Sequence, residues 1–297
     1  MASRPAFVYV AVAVGVISFT FSPILVRWAD DAPGLAIAVW RTVFAALLLA
    51  PVAWRRIGPA VRKFGRRDIG LIGAAGVFLG LHFITWIESL YFTTVASASV
   101  LVTTSPIFLV VLGYWFLNEQ LSGPTVGAIL VSVGGAALIG WGDMRGIGVG
   151  PAPLWGNGLA LTASLLVSLY LLIGRHVRQQ VPWLAYVFPL YAVTALTTLA
   201  VAWAQGIPLF GYDWGFYGLC ALMAIGPQIL GHGSFNYALQ YFPAALVGML
   251  ALLEPVGASA LAYVLFGEVP TGLAITGMLV VLAAVAVVVR YERDQER

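Results

Sequence analysis

A chain of 297 residues that is 61% hydrophobic and only 9% charged cannot cover itself with polar surface, since soluble domains carry roughly 25% charged residues. Its mean hydropathy of +0.95 makes lipid the solvent for most of its length, which excludes a soluble domain. The net charge of +3 therefore bears on membrane orientation and not on nucleic acid, for which no partner role is expected.

Ten stretches are long and apolar enough to span, at about 20 residues and 1.5 Å rise per residue. They run over residues 6–27, 33–54, 68–90, 95–117, 122–141, 154–174, 183–205, 214–240, 244–266 and 271–290. Pro, Gly and charge punctuate them, as at Asp30-Asp31-Ala32-Pro33-Gly34, Ser122-Gly123-Pro124 and Tyr241-Phe242-Pro243. Arg4 is followed by an apolar run with no small-residue cleavage pattern, so the first helix is expected to be retained. The single Cys220 cannot form an intramolecular disulfide.

Residues 90–140 recur at 239–289 with a constant offset of 149. Leu90 falls on Leu239, Leu101 on Leu250, Pro106 on Pro255, Tyr114 on Tyr263, Glu119 on Glu268 and Gly123 on Gly272. A repeat of this size predicts two units, residues 1–147 and 148–297, each of five helices. Five is odd, so the second unit enters the membrane from the opposite side. The expected fold class is an all-α integral membrane protein of ten transmembrane helices in two inverted five-helix repeats. Such symmetry supplies two related states, one open to each side, as alternating access requires.

Charge orients the bundle. With the N-terminus inside, the cytoplasmic segments hold Arg4, Arg55, Arg56, Arg62, Lys63, Arg66, Arg67, Arg175, Arg178, Arg290, Arg293 and Arg297, twelve of the fifteen basic residues. The opposite side holds Arg27 and Arg145, while Arg41 lies within a helix. Both termini are expected in the cytoplasm.

Ionisable groups inside spans are costly, about 2.5–3.5 kcal/mol near a helix centre on insertion scales, and mark candidate sites. Arg41 lies roughly 12 Å below the external surface and Glu254 roughly 15 Å deep, near the midplane, at helical rise. In the third span His82, Thr85, Trp86 and Ser89 form one stripe, with Glu88 one turn beyond Thr85. In the eighth, Gln228, His232, Asn236 and Gln240 recur every four residues, flanked by Phe235 and Tyr237. These spans are repeat mates, so the stripes should face each other across a wetted central cavity. Ser18 and Ser22 in the first span, and Asn157, Ser164 and Ser168 in the sixth, add polar groups.

Structural readings stand beside these. Ser and Thr in membrane helices back-bond to their own turn or join helices. Trp54, Trp141, Trp183, Trp203 and Trp214 fit an interfacial belt, whereas Trp40 and Trp86 lie deeper and suit cavity lining. Arg41 suits either an ion pair with Glu88 or a solute. Glu119 and Glu268 are expected to cap the following helices. The histidines suit packing as well as solute contact. Pro106 and Pro255 each remove a helix hydrogen bond, and as symmetry mates they read as hinges. A carboxyl at the midplane takes up a proton unless a cation or water meets it, which makes Glu254, with Glu88, the candidate for proton coupling. Small residues at four-residue steps in the fifth span, Ala128, Ser132, Ala136 and Gly140, suit close helix packing, as scaffold or as a homodimer surface.

The segments Ala36–Leu49 around Trp40-Arg41, Ser99–Glu119 with Thr103-Thr104-Ser105-Pro106-Ile107, and Leu253-Glu254-Pro255-Val256 through Phe266-Gly267-Glu268 resemble the drug/metabolite transporter superfamily, specifically its EamA-like ten-helix exporters. The resemblance covers essentially the whole chain. It implies secondary export of small solutes, commonly amino acids and related metabolites, across an inner membrane through a cavity between the repeats. Ile17-Ser18-Phe19-Thr20-Phe21 departs from the Trp-Ser/Gly-rich opening common in relatives.

The expected function is therefore a proton-coupled metabolite exporter, with substrate contacts from Trp40, Arg41, His82, Trp86, His232, Asn236 and Tyr237. Alternatives are efflux of cationic compounds, an uncoupled exchanger, a passive channel, and a membrane-embedded enzyme. The last lacks an H-E-x-x-H motif, and Gly233-Ser234 beside His232 has no nucleophile elbow. No cofactor or metal is expected.

Overall fold

The computed structural model describes residues 5–295 apart from Asp30, Lys63, Thr94, residues 145–150, Glu268 and Pro270. The described residues are helical, without strands, because in hydrocarbon every backbone N–H and C=O must be satisfied within its own segment. We label the ten passages α1 (Ala6–Trp28), α2 (Gly34–Arg56), α3 (Arg66–Phe92), α4 (Val95–Val102 and Ser105–Leu117), α5 (Gly123–Met144), α6 (Pro153–Arg178), α7 (Trp183–Ala204), α8 (Trp214–Ala238), α9 (Ala244–Leu250 and Leu253–Phe266) and α10 (Gly272–Gln295). Among the described residues nine of them are long and apolar enough to cross a membrane, and α5 contributes a shorter apolar run over Gly123–Leu138.

Pro106 and Pro255 do not lie inside continuous helices, where each would remove a hydrogen bond; each stands in the first turn of a resumed helix. In α4 the helix stops at a turn over Thr103–Thr104, and Pro106 is the second residue of the helix that resumes at Ser105. In α9 it stops at Ala251–Leu252, and Pro255 is the third residue of the resumed helix. Proline belongs in a first turn, where its missing N–H has no partner to lose. α1 is interrupted at Phe21 in the same way, ahead of Pro23. α8 is unbroken, but its middle, Ala224–His232, is π-helical and contains Pro227.

α3 packs on α6 and α8 on α1; α2 packs on α7 and α5 on α10; α4 lies against α5 and α6. Adding or subtracting five turns the α3–α6 contact into the α8–α1 contact, and leaves the α2–α7 and α5–α10 contacts unchanged. The broken helices depart from that regularity. Ser105–Leu117 and Ala244–Leu250 pack together, with the Leu109 Cδ1 2.6 Å from where Gly248 would carry a Cβ, while Val95–Val102 and Leu253–Phe266 meet at few points.

Several expectations are corrected here. Glu119 does not cap α5; its carboxylate accepts from Arg175 Nε at 2.7 Å. The caps are hydroxyls, Ser122 accepting from Thr125 N–H at 3.2 Å and Thr271 from Ala274 N–H at 3.2 Å. Glu268 lies outside the described residues. Ala128, Ser132 and Ala136 are buried on the helix that packs along α10, where Gly135 approaches the Gly277 carbonyl. This stripe is thus internal packing and not a free face for a second copy. Trp54, Trp141, Trp203 and Trp214 are exposed, as belt residues are, but Trp183 turns inward and donates to the Gly233 carbonyl at 2.8 Å.

α1 and α9 touch through Gly257, whose position leaves no room for a Cβ beside the Thr20 side chain. Gly257→Val is expected to force α1 from α9 and to lower the thermal midpoint, since overpacking costs about 1–3 kcal/mol. Thermal unfolding in detergent checks this; an unchanged midpoint would contradict the contact.

Candidate functional site

A cavity enclosing about 590 Å3 of space, its mouth included, lies where the interruptions of α1, α4 and α9 meet. α4 contributes Val102, Thr103 and Ser105, α9 contributes Gly248, Ala251 and Glu254, and α1 contributes Phe19 and Ser22. Arg41 of α2, His82, Phe83 and Trp86 of α3, Val167 and Leu171 of α6, and His232 and Phe235 of α8 complete the lining. A helix that stops inside a membrane exposes backbone groups, which is tolerated only where they are re-satisfied or line a cavity. At the α4 break they are re-satisfied. Thr103 Oγ1 donates to the Ser99 carbonyl at 2.7 Å, Thr104 Oγ1 to the Leu101 carbonyl at 2.6 Å, and Ser168 of α6 to the Ser105 carbonyl at 3.2 Å. Ser168, and Ser164 with its hydroxyl 3.1 Å from Thr104 Oγ1, are therefore braces for α4.

Arg41 is 1% exposed, and no ion pair holds it among the described residues. Its Nε donates to Gln228 Oε1 at 3.3 Å, its guanidinium carbon stands 4.1 Å from the centre of the Phe83 ring, and its Nη1 has no hydrogen-bond partner among the described residues. The Trp86 Nε1 is likewise buried without a partner among those residues. His82 and His232 meet, ring centres 6.0 Å apart. His82 Nδ1 lies 2.9 Å from the Ala163 carbonyl; a carbonyl only accepts, so Nδ1 carries a proton, and in the neutral ring Nε2 is an acceptor. His232 packs edge-on against Phe19 and Phe83, at 4.8 and 5.1 Å, and its Nδ1 is 3.3 Å from the Tyr170 hydroxyl. Glu254 sits in the first turn of the resumed α9, where the helix dipole favours a carboxylate. It acts electrostatically on Arg41 across the cavity without bonding to it among the described residues.

Of the residues singled out from sequence, Arg41, His82, Trp86, His232 and Glu254 line this one cavity. Four others do not. Trp40 points away from it, donating from Nε1 to the Leu209 carbonyl at 2.7 Å and packing on Phe44, Phe210 and Tyr217. Glu88 does not pair with Arg41 among the described residues; its carboxylate lies against the start of α2, Oε1 2.9 Å from where Gly34 would carry a Cβ. Asn236 is fully buried outside the lining; the Tyr170 and Tyr191 hydroxyls approach its amide without reaching hydrogen-bonding geometry. Tyr237 packs on Phe7 and Tyr241 at the end of α8. Thr85 and Ser89 back-bond to their own helix.

Sequence reasoning passed over Phe19, Phe83, Thr103 and Ser105 as site residues, and placed Gln228 only in the polar stripe of α8. The hydroxyl run before Pro106 was a signal for two of them. Phe83 carried none, and the spacing of Gln228 gave no sign of its contact with Arg41, because the importance of both lies in what they do to Arg41.

A ten-passage helical membrane protein with a charged, aromatic-walled cavity between broken helices has the build of a solute transporter. The family model described as the EamA-like transporter family matches residues 6–141 and again 154–290. The pseudopaline exporter CntI of Pseudomonas aeruginosa is 26% identical over 282 residues, covering 91% of this chain and 92% of that protein. An uncharacterized transporter of Clostridium kluyveri is 27% identical over 234 residues, covering 76% of this chain and 74% of that protein. One solved structure, described only as the crystal structure of a protein, superposes with a TM-score of 0.80 at 15% identity over 99% of this chain and 100% of its own, a likeness of fold alone. The chain belongs to the EamA-like transporter family. It is a multi-pass membrane transporter of a small-molecule solute and not an enzyme.

Proposed function

We propose that the protein exports an amino acid or a related amphipathic zwitterion from the cytoplasm across the cell (inner) membrane by proton-coupled alternating access. The observation that carries this is a buried guanidinium and a buried carboxyl that line one cavity and leave each other unpaired. Arg41, with the Trp86 indole N–H, is a donor set for a carboxylate; Glu254 receives an ammonium group or a proton; Phe19, Phe83 and Phe235 take the apolar body. Among the relatives, the name of one states export, which supports the direction.

The two halves, residues 1–147 and 148–297, are inverted repeats in this reading. The double match to one family model and helix contacts that survive renumbering by five support it. The charge asymmetry of the loops supports a cytoplasmic position for both termini. The packed ends of α4 and α9 are then the cytoplasmic ends, so the structure corresponds to the cytoplasm-closed state. The halves rock about the breaks that precede Pro106 and Pro255.

Thermal unfolding of the purified protein against amino acids, nucleosides and cationic drugs tests the substrate class. A solute at about 100 times its Kd adds about 2.7 kcal/mol of stability, so amino acids are expected to raise the midpoint by several degrees. A rise with cationic compounds alone, lost in Glu254→Gln, would instead assign the protein to cation efflux.

A further inference from the structure

Arg41 is held by neutral groups. It touches the Gln228 amide oxygen, 3.3 Å from Nε, and the face of the Phe83 ring. The ionisable groups around it are Cys220, Tyr191 and Glu254, and none of them is bonded to it among the described residues. A buried arginine ordinarily takes a carboxylate partner, because removing a charge from water is repaid only by an opposite charge in good geometry. Such a partner would also consume the field a ligand needs.

Gln228 is well placed to be that partner and is not an acid. It lies in the π-helical turn of α8, and local π turns inside α-helices recur at functional sites. The turn is pinned through its backbone, Tyr191 O–H donating to the Gln228 carbonyl at 2.6 Å. The side chain is 0% exposed, and its Nε2 has no hydrogen-bond partner among the described residues. The amide oxygen therefore has one task in the structure, to orient the guanidinium.

We propose that Gln228 is a specificity-determining positioning residue: it fixes the Arg41 guanidinium with a neutral acceptor, so that the positive charge stays uncompensated for the carboxylate of a solute. This rests on the reading of Arg41 as the carboxylate site. Gln228→Glu is the discriminating change. It keeps shape and the acceptor, breaks no hydrogen bond because Nε2 makes none among the described residues, and supplies the acid the site lacks.

The test uses the full-length protein in detergent as wild type, Gln228→Glu, Arg41→Leu and the double variant. Each is melted alone and with phenylalanine, leucine and the amide of each, which keeps the side chain and removes the carboxylate. Gln228→Glu is expected to raise the midpoint when Arg41 is present and to lower it when Arg41 is leucine. It is expected to weaken phenylalanine and leucine at least tenfold while their amides change less than twofold. An equal fall in midpoint with and without Arg41, or an equal loss of acids and amides, overturns the proposal. The melting comparison needs no solute, so it tests the clamp even where neither amino acid binds. An Arg41→Leu chain that binds the amino acids as tightly as wild type overturns the reading of the site and leaves the clamp to stand or fall on the midpoints.

Discussion

Replacing Arg41 with leucine is expected to weaken binding of carboxylate-bearing solutes by about a hundredfold or more while leaving the protein as stable as before, or more so. The first half follows from the loss of a charge-assisted contact in a desolvated site, where removing one partner costs about 2–5 kcal/mol. The second follows from the burial of Arg41 at 1% exposure with no ion pair among the described residues. Exchanging a poorly compensated buried charge for an apolar group of similar size is neutral or stabilising. A structural arginine would behave in the opposite way. Thermal midpoints with and without amino acids read both quantities at once, and a destabilised variant that still bound them would refute the assignment.

Glu254→Gln is expected to abolish transport driven by an imposed pH gradient while preserving solute exchange across vesicle membranes. The substitution keeps size and hydrogen-bonding capacity and removes the only step that takes up and releases a proton at this position. Glu254 is buried in the cavity wall, where a carboxylate persists only with a cation in reach. Arg41 acts on it across the cavity, and the ammonium of a bound solute would do so more closely. Binding by the variant should also lose its pH dependence. Full pH-driven transport by Glu254→Gln would remove the coupling role and leave an uncoupled exchanger.

The candidate residues separate by how their side chains could be read. Arg41, His82, Trp86, His232 and Glu254 were legible because a polar or deep aromatic group in an apolar span must face something other than lipid. Trp40 shared that logic, but it lies about 100° round the helix from Arg41, on the side where the Leu209 carbonyl and the rings of Phe210 and Tyr217 receive it. Asn236 was placed by counting fours along α8. The count fails because four residues make about 400° of α-helix, so Asn236 stands about 40° round from His232, and the cavity takes Phe235 instead. Glu88 lies against the start of α2, beside Gly34, a contact set by how α3 meets that helix.

By itself the sequence determined the all-helical membrane class, the ten passages and the residues too polar to face lipid. These follow from transfer energies and from an internal period, both local to the chain. Only the tertiary structure decided that α4 and α9 are broken and not bent, that Glu119 pairs with Arg175, and that Arg41 is held by Gln228 and Phe83 and not by Glu88. Those outcomes depend on which helix supplies the missing partner for a buried polar group. Residues 187 positions apart, as Arg41 and Gln228 are, become neighbours only when the helices pack.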